Sequence, residues 1–508
     1  MKNMKMNTLI LLLVIFASAS FAQESSYLPN PYLEVPSLQN QSINGKQNVT
    51  IQLLPGGGNG GGTGGISDSE IASELFTYQE RTKLKMLSVD TFMGDSIDKN
   101  SGALSFYHTD VEIPGNYSLP VKISRRLPAG DSPLIPFRNW GLDVPYVSGR
   151  FGFNWRYYND RCSQLMPVES GEYVPIIYFY AGLTLNDGNG YSDKILELDS
   201  NAPVSPPSGY QYMTKSGWAV KCITAKDGNE GFQAKSPNGT VYTFDVVVWR
   251  EYPPAKRNGR IRRTRMYGLM ASKVTDRFGN TVLYNYEASV GKDVPDRLGS
   301  ITSSDGRRIT LSYEQGTNWL ASVSANDREW LYSPAQDNDS ELKTVTLPDK
   351  TEWSFDLHDL AMRTPRPGQA KNILDVSLTH PQGARATYHI EDLVRFKPFM
   401  PVEIPVTSSP SEVQQVETLA VHSRVINVSG VDYRWDYSYS DSSDNVWDMD
   451  ANGDPLPTHS TTVTGPNSIR VFTYFRYFNW FDGLLSSVEI KDLTGSLLER
   501  KEYKWYPR

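Results

Sequence analysis

An all-β, mostly antiparallel fold with one short N-terminal helix is the class that this 508-residue sequence predicts, on three observations. The stretch from Leu269 to Phe355 reads as one short hairpin unit written four times. Its strands alternate aromatic or β-branched residues with Thr, Asn, Ser or Lys, the pattern of a sheet with one buried face. Its stronger reversals carry glycine beside Asp or Asn, which supplies the positive φ and side-chain hydrogen bonds of a tight turn.

In the first copy Val274 precedes the turn Asp276-Arg277-Phe278-Gly279-Asn280, and the following strand closes on Tyr284 and Tyr286. In the second, Ile301 precedes Asp305-Gly306 and the strand closes on Leu311 and Tyr313. Gly279 and Gly306 stand 27 residues apart, as do Tyr286 and Tyr313. Self-similarity at a period of about 20–50 residues marks a repeat architecture. Two weaker copies follow at 22-residue spacing without the glycine: Val323 with Trp330 and Tyr332, then Val345 with Pro348-Asp349-Lys350, Trp353 and Phe355. One hairpin cannot bury its own apolar face, so neighbouring copies must stack, with Tyr286 and Tyr313 facing a common core.

This pattern resembles the Rhs/YD-repeat family, whose repeats run as a hydrophobe, an Asp-x-x-Gly or Asp-Gly-Arg turn, and a Tyr-x-Tyr close. The matching residues are Asp276, Gly279, Tyr284, Tyr286, Asp305, Gly306, Arg307 and Tyr313. Two further stretches are similar, one with Asn238-Gly239, Tyr242 and Phe244, the other with Asp492, Gly495, Tyr503 and Trp505. Upstream, Gly94-Asp95-Ser96, Gly102-Ala103-Leu104, Pro114-Gly115 and Arg125-Arg126 resemble the lead-in that precedes the repeats in such proteins. The resemblance covers roughly half the chain. It implies a secreted or surface-exposed protein whose YD-like hairpins form part of a β-shell, with a structural or interaction role and other YD-repeat segments as partners. In some members the shell encloses a C-terminal toxin released at an Asp-Pro-containing motif followed by glycine. The one Asp-Pro here, Asp454-Pro455, is followed by Leu456-Pro457 with no toxin-sized extension. The expectation is therefore the N-terminal piece of a larger shell or polymorphic-toxin protein.

Taken in order, residues 1–22 read as a signal peptide: Lys2 and Lys5, an apolar run from Thr8 to Ala17, and the small-residue site Ser20-Phe21-Ala22. That run is too short for a permanent membrane span, and no later one is long enough, which predicts a secreted, periplasmic or cell-surface protein. Residues 23–66 form an extended segment and a Gly-rich linker. Gly56, Gly58 and Gly61 match a dinucleotide fingerprint in spelling. The glycines spread on to Gly65 with no βαβ crossover behind them, so linker is the reading. Residues 67–90 predict a short amphipathic helix carrying Ile71, Leu75, Phe76 and Tyr78, with Ser67 or Asp68 as N-cap. Residues 91–252 predict an N-terminal β-domain with strands at Gly152–Tyr158, Val174–Leu185, Trp218–Thr224 and Val241–Trp249, and a core marked by Trp140, Trp155, Trp218 and Trp249. Residues 253–508 form the YD-like repeat region, with another hairpin around Gly383 and Tyr388 and aromatic-dense strands at 432–440 and 470–480.

The formal net charge is −7, and −9 once Lys2 and Lys5 are removed, so no nucleic acid is expected as a partner. Six basic residues crowd into 256–265; they read as the solvated side of a strand with Ile261 inward, or else as a site for an anionic partner. Cys162 and Cys222 are the only thiols, too few for a disulfide scaffold or a cysteine zinc site. One bond between them and two separately buried thiols are both open from the sequence. There is no HExxH, no G-x-S-x-G and no P-loop. Among six histidines only His380 and His389 approach a ligand-like spacing, and each histidine reads as a surface or turn residue. The expectation is thus no catalytic residue and no enzyme. The alternative is a carbohydrate-binding surface protein or glycan-active hydrolase, because strand aromatics can stack on sugars; a glycan or a cell-surface protein is the expected partner. The alternation favours a core role for those aromatics.

One discrete site is predicted. Asp448, Asp450, Asn452 and Asp454 alternate around Gly453, as in a loop that wraps calcium. The helix-loop-helix form is excluded, because position twelve is His459 and Pro455 and Pro457 forbid the exiting helix. A β-hairpin calcium loop remains, completed by Asp441 or Asp444, against the alternative of an acidic turn with an Asn-Gly reversal.

Overall fold

The computed structural model describes residues 93–152, 161–163, 182–198, 205–257, 260–289, 296–336, 339–357, 360, 373–396, 415–440, 458–475 and 483–505. All of them belong to one compact unit. The predicted signal peptide, the 23–66 segment and the 67–90 helix lie outside the described residues. Every element among the described residues is a β-strand, and the strand pairs are antiparallel, as the hairpin reading requires.

Strands β1 (Asp95–Ile97), β2 (Leu104–Glu112), β3 (Lys122–Leu127) and β4 (Gly141–Leu142) make a small sheet in that order. The chain then enters one large, barrel-like sheet. Strands β5 (Tyr146–Gly152), β6 (Thr184–Asn186), β7 (Ser192–Leu196), β8 (Tyr212–Thr214), β9 (Ala219–Thr224), β10 (Glu230–Lys235), β11 (Val241–Arg257) and β12 (Arg260–Thr275) each pair with the next. The ring closes where Thr264–Met270 of β12 run along Gly152–Tyr146 of β5. Beyond that contact the same edge of β12, at Lys273–Thr275, pairs with β13 (Thr281–Glu287). One long strand therefore belongs both to the ring and to a meander. Residues 252 and 253, where the sequence changes texture, fall inside β11.

The meander continues through β14 (Arg297–Ser303), β15 (Arg308–Tyr313), β16 (Leu320–Ala325), β17 (Arg328–Pro334), β18 (Leu342–Thr346), β19 (Glu352–Asp356) and β20 (Ile373–Thr379). It then runs through β21 (Arg385–Phe396), β22 (Gln415–Val428), β23 (Val431–Tyr439), β24 (Thr458–Thr464), β25 (Ile469–Phe475), β26 (Leu485–Lys491) and β27 (Leu497–Glu502), each strand beside its predecessor.

Eight reversals of the meander and the ring share one hydrogen-bond pattern. In 214–218, 225–229, 236–240, 276–280, 303–307, 347–351, 380–384 and 492–496, the first residue's N–H donates to the fifth residue's carbonyl and the fourth residue's N–H donates to the first residue's carbonyl. This is a three-residue hairpin loop whose fourth position needs φ > 0. Gly279 (φ +90°) and Gly306 (φ +88°) supply it in the two strong repeats, and Lys350 (φ +69°) occupies the same place in the last weak one. The leading Asp of the repeat is explained by the same turn: Asp276 Oδ1 accepts the amides of Phe278 (2.8 Å) and Asn280 (2.9 Å), and Asp492 Oδ1 accepts those of Thr494 and Ser496. Ser303 Oγ stands in for the carboxylate by accepting from Arg307 N–H. The third copy lacks glycine because its loop is shorter: Asn326 (φ +50°) and Asp327 (φ +59°) form a two-residue reversal that Asn and Asp tolerate.

Inward side chains of both sheets merge into one core. Tyr284, Ile301, Leu311, Val323, Tyr332, Val345, Phe355, Tyr388, Tyr437 and Tyr439 are buried, and Tyr286 and Tyr313 pack partly buried against them. The small sheet lies on this face through Phe106 against Tyr388 (ring centroids 5.6 Å), Phe137 against Tyr332 (5.0 Å) and Trp140 against Phe355 (5.2 Å). Tyrosine rather than phenylalanine closes the second repeat because the ladder is interrupted there. Beside a bulge at Ser312/Tyr313, the Tyr313 hydroxyl donates to the Leu298 carbonyl (2.8 Å) and accepts the Leu298 amide (3.1 Å). Of the four predicted core tryptophans, Trp140 and Trp218 are buried, Trp155 lies outside the described residues, and Trp249 is 49% exposed because its strand position faces away from the core.

Candidate functional site

Charged residues concentrate at the seam between the small sheet and the large one, in three joins of the same composition. In the first, Asp95 of β1 meets Arg424 of β22: Nη2 donates to Oδ1 at 3.0 Å, Nε lies 2.7 Å from Oδ2, and the guanidinium covers the Trp435 ring. In the second, Arg125 of β3 donates through Nε to both oxygens of Asp110, which also accepts the Tyr332 hydroxyl at 3.0 Å. The Arg125 guanidinium sits between Trp140 (4.5 Å) and Phe355 (4.7 Å). His108 lies against the same rings, and burial, then the charge of Arg125, holds its imidazole well below the ordinary range, so it is neutral.

The third join brings the two resemblance-bearing stretches together. Arg307, the arginine of the Asp-Gly-Arg turn, donates to Asp305 (2.9 Å) and through Nη1 to the carbonyls of Ile113 (3.2 Å) and Leu119 (3.1 Å). Asp305 in turn accepts the Asn116 amide, and the Arg307 guanidinium lies over the Tyr117 ring. A Cβ on Gly115 would fall 2.2 Å from Arg307 Cζ, so the Pro114-Gly115 reversal needs glycine to admit this arginine. Hydrogen bonding to Arg307 holds the Asp305 carboxyl far below the usual carboxylate range.

A fourth cluster gathers Tyr107, Lys122, Arg126, Asp143, Tyr146 and Asp187. Lys122 Nζ donates to the Tyr107 hydroxyl (3.2 Å) and Arg126 donates to the Tyr146 hydroxyl. Burial, reinforced by the charge of Asp143, pushes the Tyr107 phenol far up. Burial also pushes Asp187 up to about 6, against the amides of Asn189 (2.7 Å) and Tyr191 (3.1 Å) that favour its charged form. Displaced titration of this kind accompanies both active sites and structural ion pairs. At this seam Asp95, Asp110, Arg126, Asp305 and Arg307 are each engaged from the opposite side, which fits them for locking the two sheets together.

The predicted calcium ligands Asp448, Asp450, Asn452 and Asp454 lie outside the described residues. Among the described residues no group of three or more His, Cys, Asp or Glu side chains is placed to hold a metal ion. His380 and His389 are not brought together as ligands: His380 caps a turn and packs edge-on against Trp353, while His389 bridges Asp375 (2.9 Å) and Glu391 (3.1 Å). His108 and His459 correct the expectation that every histidine is a surface or turn residue, for both are buried, His459 with Nε2 2.6 Å from Asn100 Oδ1. The cysteine alternatives resolve into a disulfide, Cys162–Cys222. Around it Tyr212 donates to the Cys162 carbonyl (2.6 Å), and Glu230 accepts the amides of Cys162 (2.8 Å) and Ser163 (2.7 Å). Sequence reasoning missed the role of Arg125, Arg307 and Arg424. Arg307, by its place in the Asp-Gly-Arg turn, and Arg125, by its place in the lead-in likeness, carried a visible signal, and Arg424 carried none. No protein-family model matches the chain, and a search of the curated proteins finds no match.

Proposed function

We propose that the chain is a structural or interaction protein of the Rhs/YD-repeat kind, exported from the cytoplasm, whose large sheet is part of a shell. The observation that carries this reading is the third join, where the turn Asp305-Gly306-Arg307 grips the Pro114-Gly115 reversal through Arg307. The eight shared turns support it from the repeat side, and the disulfide supports an oxidising compartment, because cytosolic thiols are kept reduced. Calcium held by the 448–454 loop, other YD-repeat segments and glycan or cell-surface partners belong to the same proposal.

The test is to express the chain with its leader, determine the N-terminus of the exported product, and screen that product on a glycan array and a glycosidase panel. The expected product starts at Gln23 and turns over no substrate. Robust turnover abolished by changing a single carboxylate would overturn the non-enzymatic reading, and retention of residues 1–22 in the cytoplasm would overturn export.

A further inference from the structure

Among the described residues β27 is an open strand edge. Its residues pair with β26 alone, from Glu502 opposite Ser487 to Leu497 opposite Lys491, and the whole strand is exposed. Around it Leu493, Leu497, Leu498 and Tyr503 form the densest run of exposed large apolar side chains among the described residues. One bond fixes which way the backbone points: the Tyr503 amide donates to the Ser486 carbonyl at 2.8 Å. In an antiparallel ladder alternate residues bond to the same neighbour. From Glu499 to Tyr503, clear of the irregularity at Leu497, the N–H and C=O groups of Glu499, Lys501 and Tyr503 therefore face β26. Those of Arg500 and Glu502 face outward, toward whatever lies beside the edge.

The charges on this edge run acid, base, base, acid through Glu499, Arg500, Lys501 and Glu502. That order reads the same in both directions, so it suits an antiparallel copy of itself. A two-fold axis between adjacent antiparallel strands stands perpendicular to the sheet, so it sets one residue opposite its own copy and keeps each side chain on its face. With the axis at Arg500, Glu499 faces Lys501 of the second copy and Lys501 faces its Glu499. These pairs fall at the non-hydrogen-bonded sites, where side chains approach most closely. The like pair, Arg500 with Arg500, falls at the wider hydrogen-bonded site, and each guanidinium already holds Glu489 (3.1 Å) and Glu502 (2.9 Å) of its own chain. An axis at Glu499 or Lys501 would instead set two like charges at the closer spacing. Counting outward from Arg500 brings Leu498 and Leu497 of one chain level with Glu502 and Tyr503 of the other, so the exposed apolar residues lie within the join. We propose that the β27 edge is a self-association site, at which two copies of this chain pair β27 against β27 about Arg500. This goes beyond the shell reading and does not rest on it.

The mass of the full exported chain is measured by sedimentation equilibrium from about 1 to about 200 μM. The expected result is a monomer that converts to a dimer with a Kd of about 1–100 μM, as a small interface gives, and stops at two because a two-fold contact closes. Arg500→Pro removes the central pair of outward amides and no bond to β26, and should abolish the dimer with an unchanged melting transition. Glu499→Lys and Lys501→Glu each set like charges opposite one another twice, and each alone should weaken association about tenfold or more. The exposed Glu499–Lys501 pair of one chain (3.1 Å) contributes little to folding, so both variants stay folded. Mixing the two single variants, or combining them as Glu499→Lys/Lys501→Glu, restores opposite charges and should bring the Kd back to within about threefold of wild type. Should Arg500→Pro lose its melting transition, the charge variants carry the same test. A monomer at every concentration would leave the edge to a different chain and overturn the proposal. So would a mass that grows past two, a dimer indifferent to the variants, or a mixture that fails to restore it.

Discussion

Lys350 occupies a backbone position that glycine holds in seven other turns of the same hydrogen-bond pattern. An L-residue in the left-handed region costs about 1–2 kcal/mol, partly offset because glycine makes the unfolded chain looser. Lys350→Gly should therefore raise the unfolding free energy by about 0.5–1 kcal/mol, read as a higher urea midpoint with an unchanged slope. Gly279→Ala should lower it by about 1 kcal/mol, and that cost is purely torsional, since a Cβ there meets nothing within 4 Å. Equal midpoints for wild type and both variants would show that the turns do not set the hairpins. Asp187 gives a pH signature at the same scale. Its folded-state pKa is pushed up to about 6 by burial, above the ordinary 3.8, so between these values the folded chain binds more protons than the unfolded one. Stability should fall as pH rises from about 4 to about 6 and flatten above that. Asp187→Asn, whose amide oxygen still accepts both turn amides, should remove the slope and be more stable by about 1–2 kcal/mol at pH 7. A slope that survives in the variant would assign it to another group.

At the scale of elements, the Asp95–Arg424 pair is nonlocal, whereas in the other two joins the Asp–Arg pair is local and it is the contact of that pair with the opposite sheet that spans the chain. Asp95→Asn would leave the Arg424 guanidinium buried without its counter-charge and should cost about 3–5 kcal/mol, measured by chemical denaturation. A loss below about 1 kcal/mol would mean that this join contributes little to holding the small sheet. The hairpins were legible in the sequence because a turn is a statement about five consecutive residues: Asp276, Gly279 and Asn280 announce their own hydrogen bonds. The joins were not, since Asp95 and Arg424 are separated by 329 positions and neither shows a local preference for the other. The predicted strand at Gly152–Tyr158 lies outside the described residues apart from Gly152, the last residue of β5. β5 itself is set by its pairing with β12.

For the whole molecule, the closing of the ring and its covalent clamp are equally nonlocal. Cys162 and Cys222 close a loop of 60 positions, for which chain entropy predicts a contribution of about 4 kcal/mol. Cys162→Ser/Cys222→Ser should lose about that much and melt at a temperature unaffected by reductant; wild type should melt lower when reduced. Identical melting of reduced and oxidised wild type would show that the hydrogen bonds of Tyr212 and Glu230 suffice to hold residues 161–163. Composition and alternation disclosed an all-β chain, and the repeat disclosed a meander. That the meander springs from a strand already shared with a ring could not be read, because the register of β12 against β5 is decided by residues more than a hundred positions apart.

That shared strand also orders events in time. From β13 onward each strand finds its neighbour a few to a few tens of residues behind it, so the meander can add hairpin by hairpin with little loop entropy to overcome. β5 is in the opposite position: synthesis from the N-terminus makes it early, and the edge it offers at Tyr146–Gly152 has no partner until Thr264–Met270 has been made. For the whole of that interval the nascent chain carries an open strand edge, the kind of surface that chaperones cover and that neighbouring chains can capture.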